Sequence, residues 1–235
     1  MENVDKSHGQ LFYQPIQEPI EKPRTPVIQN PWLCVLANLF SLIFHPILIT
    51  SYVLYFLIFV HPIAFAGLDH RDKVFRFIAV LFSTSFLPLF SVFLLWRLGF
   101  GVQSILLRTQ RERIIPYAIV MIFYWWVWNV FRNLADIPPF VVHFLLGSFL
   151  AVCAAWFCNI YFKVSMHAIS MGGLVMFLIL FSFVDTYSSG LYLSLGVLIA
   201  GLVCSSRLLL GSHSNTEIYA GFFVGMLVQY IAWLF

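Results

Sequence analysis

From about position 31 onward, long apolar runs alternate with short polar breaks. Seven apolar segments can be marked, near 33–61, 76–97, 117–132, 140–162, 168–187, 189–210 and 214–235. Several approach the roughly 20 residues that a helix needs to cross a hydrocarbon core about 30 Å thick. The runs are apolar on every face and lack the ten-residue alternation of membrane barrel strands, so the spans are expected to be helical. Two segments are irregular. The first is interrupted by His45-Pro46 and reads as one kinked helix or as a helix with a re-entrant piece. The third is short and carries Trp125, Trp126 and Trp128 as an interfacial anchor. The pattern predicts an all-α, polytopic transmembrane bundle of six to seven spans, divided into N-terminal helices over 31–98 and a helical core over 99–235. Ahead of it, residues 1–30 hold Pro15, Pro19, Pro23 and Pro26 among polar residues, a composition expected of a disordered tail and not of a signal peptide.

Composition agrees with this division. The chain is 61% hydrophobic and 10% charged, well away from the quarter or so of charged residues in ordinary soluble domains. A formal charge of +3, with scattered basic residues, argues against nucleic acid as a partner. Cys34, Cys153, Cys158 and Cys204 lie in apolar runs without a CxxC pair and read as small buried hydrophobes.

Ionisable residues beside or within spans are costly, and their positions are therefore informative. Three groups stand out: Arg108, Arg111 and Arg113 in "LLRTQRERIIPY"; Lys163, Ser165 and His167 in "FKVSMHAISMGG"; and Arg207, His213 and Glu217 in "SSRLLLGSHSNTEIYAG". Two segments separate each group from the next, so an even number of crossings returns all three to one membrane face. The opposite connections hold Arg71, Lys73, Arg76, Arg132, Asp136 and Asp185 without comparable grouping. Cations converging beside two histidines suit a tetrahedral oxyanion, because guanidinium groups match phosphate oxygens in pairs. A last span starting near Ser214 would put His213 and Glu217 on one helical face, the carboxylate holding one imidazole nitrogen and freeing the other to attack. His167 is then the candidate acid. The set lacks the convergent carboxylates that Mg²⁺ or Ca²⁺ normally takes, which points to phosphoryl transfer with neither metal nor other cofactor.

These residues resemble the signatures of the type 2 phosphatidic acid phosphatase and haloperoxidase superfamily. "SRLLLGSHSNTE" is similar to the third signature, with Arg207, His213 and Glu217 at the family spacing and Glu in place of Asp. "SMH" is similar to the second, Pro-Ser-Gly-His, with Val164 and Met166 replacing Pro and Gly. Arg108, followed after six residues by Ile115-Pro116, keeps the spacing of the first, and Arg111 or Arg113 would supply its second cation. The resemblance covers roughly 100–235. It implies that His213 is the nucleophile, Glu217 its orienting carboxylate and His167 the general acid. Arg207, Arg108, Arg113, Lys163 and Ser165 would bind phosphate.

The expected function is a membrane lipid phosphatase acting through a phosphohistidine on a phospholipid, lipid A or polyprenyl phosphate or diphosphate. A lipid phosphotransferase using the same intermediate, and a non-catalytic transporter or scaffold with a degenerate site, remain alternatives. The family resemblance implies a bacterial inner membrane with the site facing the periplasm, whereas Lys and Arg outside the three groups divide evenly between the two faces. Oligomeric state has no signature in the sequence. His45, His61 and His143, each alone in an apolar run, read as packed or hydrogen-bonded structural residues. Gly172-Gly173 read as helix-packing positions.

Overall fold

Proline and small polar caps decide where the helices begin. The computed structural model describes residues 30–99, 110–185, 187 and 189–235; among them it contains nine α-helices and no strand. Asn30 caps α1 (Pro31–Ile43), His45 caps α2 (Pro46–Tyr55) and Asp69 caps α3 (His70–Leu81), each side chain accepting a hydrogen bond from a backbone N–H of the first turn. Pro31, Pro46 and Pro139 occupy first-turn positions, where a missing N–H removes no helical bond. The remaining helices are α4 (Leu87–Leu98), α5 (Gln110–Arg132), α6 (Pro139–Tyr161), α7 (Met166–Val184), α8 (Ser189–Leu209) and α9 (Asn215–Trp233).

Helices α3 and α4 form one rod, His70–Leu98, through a π-helical turn at Phe82–Phe86. Pro88, two residues beyond this turn, cannot donate to the carbonyl one turn back, so a wider turn relieves the clash. Ser51 of α2 meets Thr84 and Ser85 here at 3.3 and 3.1 Å.

Five helices are long and apolar enough to cross a membrane: His70–Leu98, Glu112–Arg132, Pro139–Tyr161, Met166–Val184 and Gly190–Leu209. A sixth span results if α1 and the α2 rod, bent by 61° at His45-Pro46, count as one. This architecture is consistent with an integral membrane protein, and large apolar side chains such as Phe75, Phe183 and Phe223 face outward. The last predicted segment forms α9 but is less apolar than those five, since it includes Asn215, Glu217 and Gln229. Helix α5 begins at Gln110, not near 117, so Arg111 and Arg113 belong to its first turn and not to a loop. Glu112 in that turn complements the helix dipole, and Pro116 removes one backbone bond without ending the helix. The polar head before Asn30 lies outside the described residues.

Helix α7 is central, between α6, α8 and α9. A Cβ on Gly172 would run into the Phe222 carbonyl, and one on Gly225 into the Ile169 carbonyl, so α7 and α9 cross with their backbones in contact. At the end of the bundle remote from the three charged groups, His61 donates from Nε2 to Asp185 at 3.1 Å, with both side chains at least 95% buried. Arg76 pairs with Asp136, and Arg132 lies over the Trp128 ring. His61 is thus the satisfied structural histidine expected of it. His143 packs edge-on against Trp233 in the α6–α9 interface.

Candidate functional site

The site is assembled from the ends of helices. Helix α8 closes with two bonds typical of a left-handed stop: Gly211 N–H donates to the Leu208 carbonyl and Ser212 N–H to the Arg207 carbonyl. Gly211 sits at φ 63°, a conformation open to glycine at little strain. The chain then turns through His213 to Ser214, whose hydroxyl accepts from Glu217 N–H and caps α9. In a capping box the glutamate reaches back to the cap residue. Here Glu217 instead turns its carboxylate to His213, with Nδ1 to Oε2 at 2.8 Å. The sequence expectation of one shared helical face needs correction: His213 precedes the cap of α9 and lies outside the helix, so the longer Glu side chain spans from helix to turn.

Helix α7 begins beside this turn. The Ser165 hydroxyl is fully buried and accepts from Ala168 N–H, which makes it the cap of α7, and it does not line the cavity described below. Met166 opens α7 in ordinary helical geometry, so nothing at that position demands glycine. His167 follows, with Nε2 3.1 Å from the Ser41 carbonyl of α1. Arg207 donates from Nη1 to the Ser41 hydroxyl at 3.5 Å, while its Nε is buried without an acceptor. Lys163, half-buried just before α7, acts electrostatically on His213.

A cavity of about 320 Å³ unites these elements. His45, Arg113, His167 and His213 line it, and it continues inward past Tyr117, Thr50, Tyr124, Ser148 and Gln229. One residue from each of the three charged groups therefore meets in one space. Arg108 and the Arg111 side chain lie outside the described residues. An apolar groove of about 300 Å³, lined by Phe44, Tyr52, Val53, Phe56, Leu178 and Leu195 among others, shares Ile49 and Leu174 with the cavity.

Burial, the largest influence, pushes the His213 imidazole down to about 4, with the Arg207 and Lys163 charges acting in the same direction and Glu217 opposing them. The ring is neutral near pH 7, with Nδ1–H donated to Glu217 and the Nε2 lone pair available. The Arg207 charge also acts on His45 and His167, so one guanidinium sits among three imidazoles. Arg207, Lys163 and Glu217 do not themselves line the cavity, and the Arg207 Nε is buried without an acceptor among the described residues. Among the described residues, no group of three His, Cys, Asp or Glu is placed to hold a metal ion.

Sequence reasoning missed His45 and Ser41. His45 carries no local signal beyond its proline neighbour. No family model, curated protein or solved structure matches this chain.

Proposed function

We propose that this chain is a membrane lipid phosphatase that hydrolyses a lipid phosphomonoester or a polyprenyl or lipid diphosphate through a phosphohistidine on His213. The observation that carries the proposal is the 2.8 Å bond from His213 Nδ1 to Glu217, which fixes the tautomer and leaves a nucleophilic nitrogen on a ring lining a cavity shared with His167 and Arg113. In the first step His213 Nε2 attacks phosphorus and the bond to the lipid oxygen breaks. That oxygen keeps the bonding electrons and takes a proton from His167, which the negative charge of the bound phosphate holds in its protonated form. In the second step His167 removes a proton from water, whose oxygen attacks the phosphohistidine and releases phosphate. Arg207 and Arg113 offset the charge on the transferring group, with Lys163 as an outer cation. His167 turns from the Ser41 carbonyl to serve the leaving oxygen. Continuity of the apolar groove with the cavity supports placing the lipid chain there. On this proposal the protein resides in a bacterial inner membrane with the site facing the periplasm.

The test is phosphate release by detergent-purified wild type and His213→Ala, with EDTA present, from phosphatidic acid, phosphatidylglycerophosphate, undecaprenyl diphosphate and lipid A. Release by wild type and a fall of several orders of magnitude in the variant are expected. Equal background from both proteins, shown to be folded, would support a non-catalytic role. Phosphorylation of an added lipid alcohol, in place of phosphate release, would identify a phosphotransferase.

A further inference from the structure

His45 stands at the break between α1 and α2, and its two nitrogens have different surroundings. Nδ1 accepts the Ile47 N–H at 3.4 Å, capping α2 behind the rigid Pro46. An accepting nitrogen carries no proton, so the proton of the neutral ring sits on Nε2. Among the described residues no group accepts from that nitrogen. The ring meets His167 edge to face, with centroids 5.5 Å apart and planes at 82°, and lines the same cavity as His167 and His213. Capping alone does not account for a histidine here, because Asn, Asp, Ser and Thr are the effective cap residues.

We propose that His45 is a third imidazole of the site, donating a hydrogen bond from Nε2 to an oxygen of the phosphate group held in the cavity. The proposal rests on the phosphatase reading and adds to it a residue from the N-terminal helices. A donor fixed by a helix cap needs no reorganisation as charge builds on the phosphoryl oxygens, the property that makes preorganised donors effective. A neutral imidazole held at a helix N-terminus polarises an oxygen without transferring its proton. No bond to phosphorus forms or breaks through His45.

Asn and Gln separate the two nitrogens. His45→Asn keeps an acceptor near the Nδ1 position for the Ile47 N–H and deletes the far donor; His45→Gln keeps a donor near the Nε2 position. Phosphate release from a lipid phosphomonoester, with inorganic phosphate as competitive inhibitor, is measured for both variants. H45N is expected to melt like wild type, to lose about tenfold to a hundredfold in kcat/KM and to bind inorganic phosphate more weakly, with H45Q recovering part of the loss. The pH profile of H45N is expected to keep its shape, since His213 still sets it. Wild-type kcat/KM in H45N, or a loss with unchanged phosphate inhibition, overturns the proposal and leaves the phosphatase reading standing. Absence of release by the wild type overturns both. Should H45N not fold, H45Q decides: an inhibition constant for inorganic phosphate within about threefold of wild type supports the donor, and a rise of about tenfold or more overturns it.

Discussion

Ser165 donates its backbone N–H to the Glu217 carbonyl at 3.4 Å, tying the turn before α7 to the first turn of α9. The bond lies two residues from His167 and on the residue that holds His213. Along the chain the two histidines are separated by the length of α7 and α8. The backbone contact of Gly172 and Gly225 with the opposite helix and this one bond return them to a single cavity.

On the proposed mechanism, the limb of kcat/KM that reports His213 is expected near pH 4, not near the ordinary histidine value of 6.5, because the reaction needs the neutral ring and folding holds its titration at about 4. The unfolded chain takes up this proton near 6.5. Stability linked to His213 is therefore fully present above about 6.5 and is lost as the pH falls through about 4. Glu217→Gln removes the influence that holds this value up, so its acid limb moves to lower pH while the rate falls. A pH–rate profile of both proteins measures this; an unmoved limb in the variant refutes the assignment.

Arg207→Lys is expected to lower kcat/KM about tenfold to a hundredfold, since an ammonium supplies neither paired donors nor the Nε hydrogen that is buried without a protein acceptor. Inhibition by inorganic phosphate should weaken in parallel. Parallel losses in KM and the inhibition constant would locate the defect in anion binding.

Gly211→Ala forces an L side chain into φ 63°. A stability loss of about 1–2 kcal/mol is expected, read as a lower midpoint of thermal unfolding in detergent. The larger effect should fall on the rate, because His213 follows two residues later. Wild-type kinetics in this variant would show that the turn does not set the position of His213, the proposed nucleophile.

His61→Ala breaks the buried pair with Asp185 at the remote end of the bundle. Loss of one partner is expected to destabilise by about 3 kcal/mol while kcat/KM of the folded fraction stays unchanged. His61 and His167 lie near opposite ends of helices more than 20 Å long by the rise of about 1.5 Å per residue. A selective loss of rate in a stable His61→Ala protein would contradict the separation of the two ends.

Much of the helical organisation was legible because lipid-facing runs need only be apolar and long. The His45-Pro46 break was legible through proline, and the packing role of Gly172 through the absence of further loop glycines. The start of α5 was not. "RTQRERIIP" has the polarity of a loop and a proline, and its arginines disfavour a helix N-terminus, which only Glu112 suits. The pairing of His213 with Glu217 was expected from their spacing, but the spacing could not tell a helical face from a turn held by Gly211 and Ser214. The buried hydroxyl of Ser165 went to capping, since a helix N-terminus in an apolar setting must satisfy its own N–H groups before any ligand is served. His45 was invisible locally because its partners arrive from α7 and α8.

The two ends of this bundle are fastened by different means. One end is held by the buried His61–Asp185 pair, the Arg76–Asp136 pair and a guanidinium over Trp128. At the other, α1 meets α7 and α8 through single bonds from His167 and Arg207 to Ser41, which on the proposed function an incoming anion would replace. The molecule is bound like a book along its spine: on the phosphatase proposal, the lightly held fore-edge is where a headgroup would enter.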